Sequence, residues 1–286
     1  MKKTVVRWSE MFPVQFHERL RKFPVLYLPL GLCEPHGRGA ALGLDSLKAE
    51  GLCVAAAERF GGIVAPTQGY QIHESGYHAR WLEEVIGEAN PCMTSVPPRP
   101  LLYFFLYQLR AFQNAGFRLV VALTGHAGGN ERDLRLAAEV FANETGLNVI
   151  VRADSELTDG VYRGDHAGKY ELSQLLYFRP DLVNLLQVAR DLELEEPHRF
   201  AAGRDGSEAT ADHGQQIAEL SLQRLGQLLV EAEEALSRPL PRIDYETVER
   251  AWRALLERSD EWITTRPAPG QKRVSGGSQW SRYERV

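Results

Sequence analysis

Residues Leu26–Leu47 read LYLPLGLCEPHGRGAALGLDSL, and this stretch holds both a strand-to-helix unit and a group of donor side chains. The apolar run Val25–Leu30 has the length of a buried strand and ends at Gly31. It opens into a Gly-rich connection carrying Glu34 and His36, and Asp45 stands where a helix should begin. Two carboxylates and an imidazole at the end of a strand suit a divalent ion such as Zn²⁺, Mn²⁺ or Fe²⁺. The plainer alternative is that Glu34 and His36 are solvated loop residues and Asp45 is a helix N-cap.

Further along, Arg118–Leu123 (RLVVAL) is a second short β-branched run, and it ends in TGHAGGNE, Thr124–Glu131. A strand that stops just before His126 again puts a donor at a carboxyl end, where ligands bind in open α/β sheets. The glycines let backbone approach a ligand with no Cβ in the way. A third stretch, Gly164–Ser173 (GDHAGKYELS), runs into the helical spacing of QLLYFRPDLV and places Glu171 in a first turn. Glu171 either complements the helix dipole or, with Asp165 and His166, completes the site begun by the other two segments.

The rest of the chain alternates in the same way. Helical spacing over Ser46–Phe60, Leu101–Ala115 and Glu131–Thr145 is interleaved with strand-like runs at Gly62–Pro66, Arg118–Leu123 and Leu147–Arg152. Such βαβ repetition predicts a single three-layer α/β/α domain with a mainly parallel sheet covered on both faces. Gln215–Glu234 is a long amphipathic helix. The division expected is a main domain over 1–238 and a C-terminal helical extension and tail over 239–286, with a helix at Tyr245–Trp262.

Taken together, the three segments resemble those of the creatininase (creatinine amidohydrolase) family. The matching motifs are E-x-H-G with an Asp nine residues after the His, a GHxGN-type segment, and HAGxxE-x-S. They occur in the family's order, over roughly residues 20–230. The resemblance implies a creatininase-like fold, two divalent metal ions per subunit (Zn, Mn or Fe) and a homo-oligomer, hexameric in many relatives. Glu34 and His126 would hold one ion and His36 the other, with Asp45 bridging. Creatininase itself has a glutamate where this chain has Gly128, so the family comparison offers Glu171 as the substitute ligand. Asp165 and His166 match the family's acid–His pair, which handles the water and the leaving nitrogen. The activity implied is an amidohydrolase cleaving an amide, cyclic amide or formamide through water activated by two metals.

These residue types suit that chemistry. Two divalent ions about 3.5–4 Å apart polarise a carbonyl, and metal binding lowers the pKa of water from about 15.7 to about 7. His166, with an unperturbed pKa of about 6.5, is suited to protonate the departing nitrogen. Asp165 would orient His166 or accept the water's proton.

Composition is compatible with such an enzyme and excludes other classes. The 286 residues are 44% hydrophobic and 25% charged, enough to bury one large α/β core. A net charge of −5 without a long basic run argues against a nucleic-acid partner. No apolar stretch reaches the roughly 18–20 residues of a membrane span. The opening MKKTVVRWSEMFPVQF has no sustained apolar segment, so no signal peptide is read and the cytoplasm is expected. Cys33, Cys53 and Cys92 do not form a disulfide pattern. Cys33, next to Glu34, points to the opposite face if the segment stays extended.

His73, His78, Tyr162 and Asn130 are candidates for contact with a small-molecule or short linear amide substrate. The two histidines lie in Gln68–Pro100, which reads as a loop elaboration with exposed side chains. The stretch Val151–Asp165 contains no Trp, only Tyr162, which argues against creatinine, whose flat ring creatininase clamps between tryptophans. Two competing readings are a lactonase or phosphoesterase on the same two ions, kept open by Arg38 and Arg163, and a non-catalytic binding member of the family. Trp252, Trp262, Trp280 and Tyr283 predict that the tail docks on another surface, with a neighbouring subunit as one candidate.

Overall fold

The β-branched and Leu-rich runs of this chain assemble into one small parallel sheet in a computed structural model that describes residues 4–285. Met1, Lys2 and Lys3 of the opening segment, and Val286, lie outside the described residues. The elements follow in the order α1 (Pro13–Lys22), β1 (Val25–Leu30), α2 (Leu44–Phe60), β2 (Ile63–Val64), α3 (Tyr77–Val85), α4 (Pro98–Ala115) and β3 (Leu119–Thr124). Then come α5 (Asn130–Thr145), β4 (Asn148–Ala153), α6 (Lys169–Phe178), α7 (Leu185–Asp191), α8 (Ala211–Glu231), α9 (Glu233–Ser237) and α10 (Tyr245–Glu257).

The sheet order is β2-β1-β3-β4, all parallel. The register pairs Leu30 with Thr124 and Thr124 with Ala153, so β1, β3 and β4 end level at their carboxyl ends. Every residue of β1 and β3 is buried, because helices cover both faces. Alternate side chains go to opposite layers. Leu26, Leu28, Val120 and Ala122 pack with Phe105 of α4, Phe141 of α5 and Leu255 of α10. Val25, Tyr27, Val121 and Leu123 pack with Leu52 of α2 and Leu225 of α8. This is the three-layer α/β/α arrangement expected. Among the described residues, no helix is long and apolar enough to cross a membrane.

Several boundaries differ from the sequence expectation. The strand expected over Gly62–Pro66 pairs only at Ile63–Val64, since Pro66 has no N–H to give a ladder. The last expected helix stops at Glu257 and gives way to a short 3₁₀ turn. The supposed loop Gln68–Pro100 contains α3. That helix has only nine residues, and its apolar face packs on the C-terminal tail instead of the sheet. The tail therefore docks on its own chain. Trp262 joins the core over the sheet, and Trp280, 1% exposed, packs with Ala79, Leu82 and Ile86. Val248, Ala251 and Leu255 pack α10 into the same helical layer as α4 and α5.

Candidate metal centre

The level ends of β1, β3 and β4 form a ledge, and the connections leaving it bring the three sequence motifs together. Glu34 and His36 follow β1, His126 follows β3, and Glu171 lies in the first turn of α6. Asp45 arrives from above, on the first turn of α2. It can come this close because residue 125 has no side chain: a Cβ on Gly125 would lie 2.1 Å from the Asp45 carbonyl oxygen. Asp45 is thus not the N-cap; Gly43 takes that position, and Asp45 is buried within the helix.

All five side chains are buried, with exposures from 0% (Glu34) to 6% (His126 and Glu171). Asp45 Oδ1 lies 3.4 Å from His36 Nε2, and its Oδ2 lies 3.5 Å from His126 Nδ1. His126 Nδ1 is 2.8 Å from Glu34 Oε1, and Glu171 Oε2 is 3.8 Å from His36 Nε2. Two donor triplets result, Glu34/Asp45/His126 and His36/Asp45/Glu171, with donor atoms within 4.8 Å of one another in each and Asp45 common to both.

The donors fit divalent ions by a further test. Both nitrogens of His36, both oxygens of Asp45 and Nε2 of His126 are buried without any hydrogen-bond partner. Buried polar atoms are almost always paired, so a cluster of orphans of these types marks a place for a cation. Charge supports this. Burial works against ionisation of Glu34, yet the imidazoles of His73, His126 and His166 outweigh it and hold its carboxyl well below the usual range. Burial likewise opposes protonation of His36, but Asp45, Glu34 and Glu171 raise its pKa to about 9.

Lys48, one turn beyond Asp45 on α2 and 1% exposed, donates to Glu171 Oε1 at 2.5 Å and lies 3.4 Å from Asp154 Oδ2. The Ala167 N–H donates to Glu171 Oε2 at 2.9 Å. Glu171 is therefore held from both sides, with Oε2 toward His36. The sequence reading missed Lys48; a lone lysine in an Ala-rich helix has the pattern of a solvated residue.

His166 is placed at the mouth of this cluster. Its ring stacks on His36 at 4.9 Å, and Nε2 donates to the Pro35 carbonyl at 2.9 Å. Asp165 does not orient it. The Asp165 carboxylate accepts from the N–H groups of Gly168, Tyr170 and Glu171 at 3.2, 2.7 and 3.3 Å, capping α6. The Pro35 carbonyl holds the imidazole instead.

The cavity above the cluster has a volume of about 330 Å³, and His73, Tyr77, His78, Trp81 and His166 form part of its wall. His73 and His78 are 3% and 4% exposed, not the exposed loop residues expected, because α3 is covered by the tail. Trp81, which the sequence reading left unassigned, has its ring 5.2 Å from His73 and 5.0 Å from His166. Asn130 is not among the residues lining the cavity, and its amide exchanges hydrogen bonds with the backbone of Ile72 at 3.0 and 2.9 Å. Tyr162 contacts Gln216 and His213 and lines a neighbouring depression with Arg163. Arg38 reaches the His198 carbonyl and Asp191, away from the cavity. Cys33 is partly buried and does not line the cavity either. At residue 128 a Cβ would lie 2.7 Å from Tyr77 Oη and 3.0 Å from His78 Nε2. The space for a side chain there is already filled.

Comparison with known proteins agrees with the motifs. The creatinine amidohydrolase family model matches residues 9–229. A creatinine amidohydrolase of Pseudomonas putida is 28% identical over 184 residues, covering 57% of this chain and 68% of that protein. A crystal structure of creatinine amidohydrolase superposes with a TM-score of 0.65 at 23% identity, covering 81% of this chain and 98% of that one. A mutant creatininase of Zn–Zn type gives 0.63 at 23% identity, with 81% and 99% covered. From its motifs, its fold and the span of the family match, the chain belongs to the creatininase family.

Proposed function

We propose that this chain is a metal-dependent amidohydrolase that cleaves the C–N bond of a small amide, cyclic amide or formamide. Glu34, Asp45 and His126 would hold one divalent ion, and His36, Asp45 and Glu171 the other. The observation that carries this reading is the pair of buried donor triplets sharing Asp45, with orphaned atoms on four of the five residues. When bound, two such ions supply a water of lowered pKa and polarise a carbonyl.

The chain's own residues account for the remaining requirements. His166 is tethered at Nε2 by Pro35, which leaves Nδ1 to exchange a proton with the departing nitrogen. Lys48 offsets part of the negative charge of Glu171 and Asp154. Trp81 and Tyr77 add aromatic surface to the cavity wall. A cavity of about 330 Å³ suits a small substrate. No arginine or lysine lines the cavity among the described residues, so a phosphoester would find no fixed side-chain cation there. That favours an uncharged carbonyl substrate over phosphate.

A panel of formamides, cyclic amides including creatinine, linear amides, lactones and phosphoesters, tested on protein loaded with Zn²⁺, Mn²⁺ or Fe²⁺, decides the matter. Release of an amine from a member of the amide group supports the reading. Turnover of lactones or phosphoesters alone would replace it.

A further inference from the structure

The family match ends at residue 229, yet the chain beyond it reaches the wall of the metal centre. After α10, residues 262–280 run as an irregular strap across α3. Asp133 of α5 anchors the start of the strap, accepting from the N–H groups of Ile263 and Thr264 at 2.8 and 3.1 Å and from the Thr264 hydroxyl at 2.5 Å. Ser75 donates to the Thr264 carbonyl at 2.8 Å, and Tyr77 N–H donates to the Arg266 carbonyl at 2.8 Å. Gln271 holds the Tyr77 carbonyl at 2.9 Å, and Trp280 Nε1 donates to the Gly87 carbonyl at 2.7 Å beyond the far end of α3. The backbones meet so closely at Gly76, where φ is +57°, that a Cβ would lie 2.6 Å from the Thr264 carbonyl oxygen and the Arg266 nitrogen.

The segment so clamped begins with His73. Its Nε2 lies 2.8 Å from Glu34 Oε2, and both atoms are otherwise buried without a hydrogen-bond partner, so the imidazole and the carboxylate face each other as a close polar pair. Asn130 fixes the preceding residue, Ile72, and the His78 ring backs His73 at 4.6 Å. Glu34 therefore has one oxygen toward His126 and the other toward His73.

We propose that the C-terminal strap is a working part of the metal centre: it holds His73 against Glu34, and His73 is the positioning residue that fixes this carboxylate as a ligand. This inference rests on the two-ion reading given above. A carboxylate with one oxygen committed to an imidazole presents the other in a fixed direction, and loss of such an outer partner costs roughly 10–100-fold in metal affinity. The strap thus backs the α3 wall from outside, while the residues that line the cavity all lie within the family-matched region.

The test is divalent-ion affinity, measured by chelator competition on the full-length wild type and on His73→Ala, His73→Gln, Ser75→Ala and Gly76→Ala. Limited proteolysis of the strap and the emission of Trp81 supply readouts independent of turnover. The expected result is that His73→Ala weakens one of the two ions roughly 10–100-fold and leaves the other unchanged, while His73→Gln, which keeps an N–H donor, recovers most of the loss. Gly76→Ala should open the strap to protease, shift Trp81 emission and weaken the same ion, with Ser75→Ala doing so to a lesser degree. Wild-type affinity for both ions in His73→Ala would overturn the inference alone. So would a strap opened by Gly76→Ala or Ser75→Ala with both ions still bound as in the wild type. A wild type that binds no divalent ion would overturn the two-ion reading and this inference together.

Discussion

Lys48 and Glu171, 123 residues apart in sequence, meet at 2.5 Å as a buried pair. The helix that supplies the shared carboxylate of Asp45 thus also supplies, one turn later, the cation that aims Glu171 at His36. Breaking a buried pair of this kind leaves an uncompensated charge and costs about 3–5 kcal/mol. Lys48→Met should lower the unfolding free energy of the metal-free protein by about that much, read from denaturant midpoints at unchanged m. A loss under about 1 kcal/mol would show that Glu171 is oriented by Ala167 alone.

The metal-free protein should lose stability in alkali. Burial opposes protonation of both imidazoles, but neighbouring carboxylates outweigh it and raise His36 to about 9 and His126 to about 10. Both values exceed the unfolded reference of about 6.5. The associated stability is therefore complete below about pH 6.5 and is lost as pH rises through 9 and 10, at up to about 1.4 kcal/mol per pH unit for each imidazole. Metal binding requires the deprotonated donors. Titration calorimetry at pH 7 in buffers of different ionisation enthalpy should then record protons released on binding. A binding enthalpy independent of buffer would contradict this.

Asp165 and His166 should separate cleanly. Asp165→Ala removes a cap from α6 and should cost about 0.5–2 kcal/mol of stability, read by thermal unfolding. His166→Ala should leave metal content and stability nearly unchanged and lower turnover on any amide the enzyme accepts by about 10²–10⁴-fold. Equal kinetic loss in both variants, without destabilisation in Asp165→Ala, would restore the acid–His partnership that the sequence proposed.

Gly128→Ala tests why the glutamate of creatininase is missing here. The residue has φ of +101°, and a Cβ would crowd Tyr77 and His78. A left-handed backbone alone costs a non-glycine residue about 1–2 kcal/mol. The variant should be destabilised by at least that amount and should displace Tyr77, visible as altered near-ultraviolet circular dichroism. A neutral substitution would show that the Tyr77–His78 pair yields easily.

Much of this was legible in the sequence because it is local. Val25–Leu30 and Arg118–Leu123 mark buried strands by composition, and each hands its donors to the carboxyl end where the sheet topology needs them. The places of Asp45 and Glu171 at helix starts were legible too, while their roles as ligands were implied by the family resemblance. What escaped depends on pairings between distant segments. Nothing in YHARWLEEV says that its covering surface is Trp280, some 200 residues on, so α3, the burial of His73 and the position of Trp81 could not be read. Lys48 looked solvated because Asp154 and Glu171 are more than a hundred residues away. Asp165 was ambiguous for a different reason. Its pattern fits a helix cap as well as a catalytic pair, and its carboxylate accepts from three backbone N–H groups while it also lines the cavity.

The central claim is that two ions share Asp45. Elemental analysis of reconstituted wild type, Glu34→Gln, Glu171→Gln and Asp45→Asn tests it most directly. The account predicts about two equivalents of Zn, Mn or Fe in the wild type, about one in each glutamine variant, and loss from both positions in Asp45→Asn. A wild type with no stoichiometric metal, or an Asp45→Asn variant that keeps both ions, would contradict it.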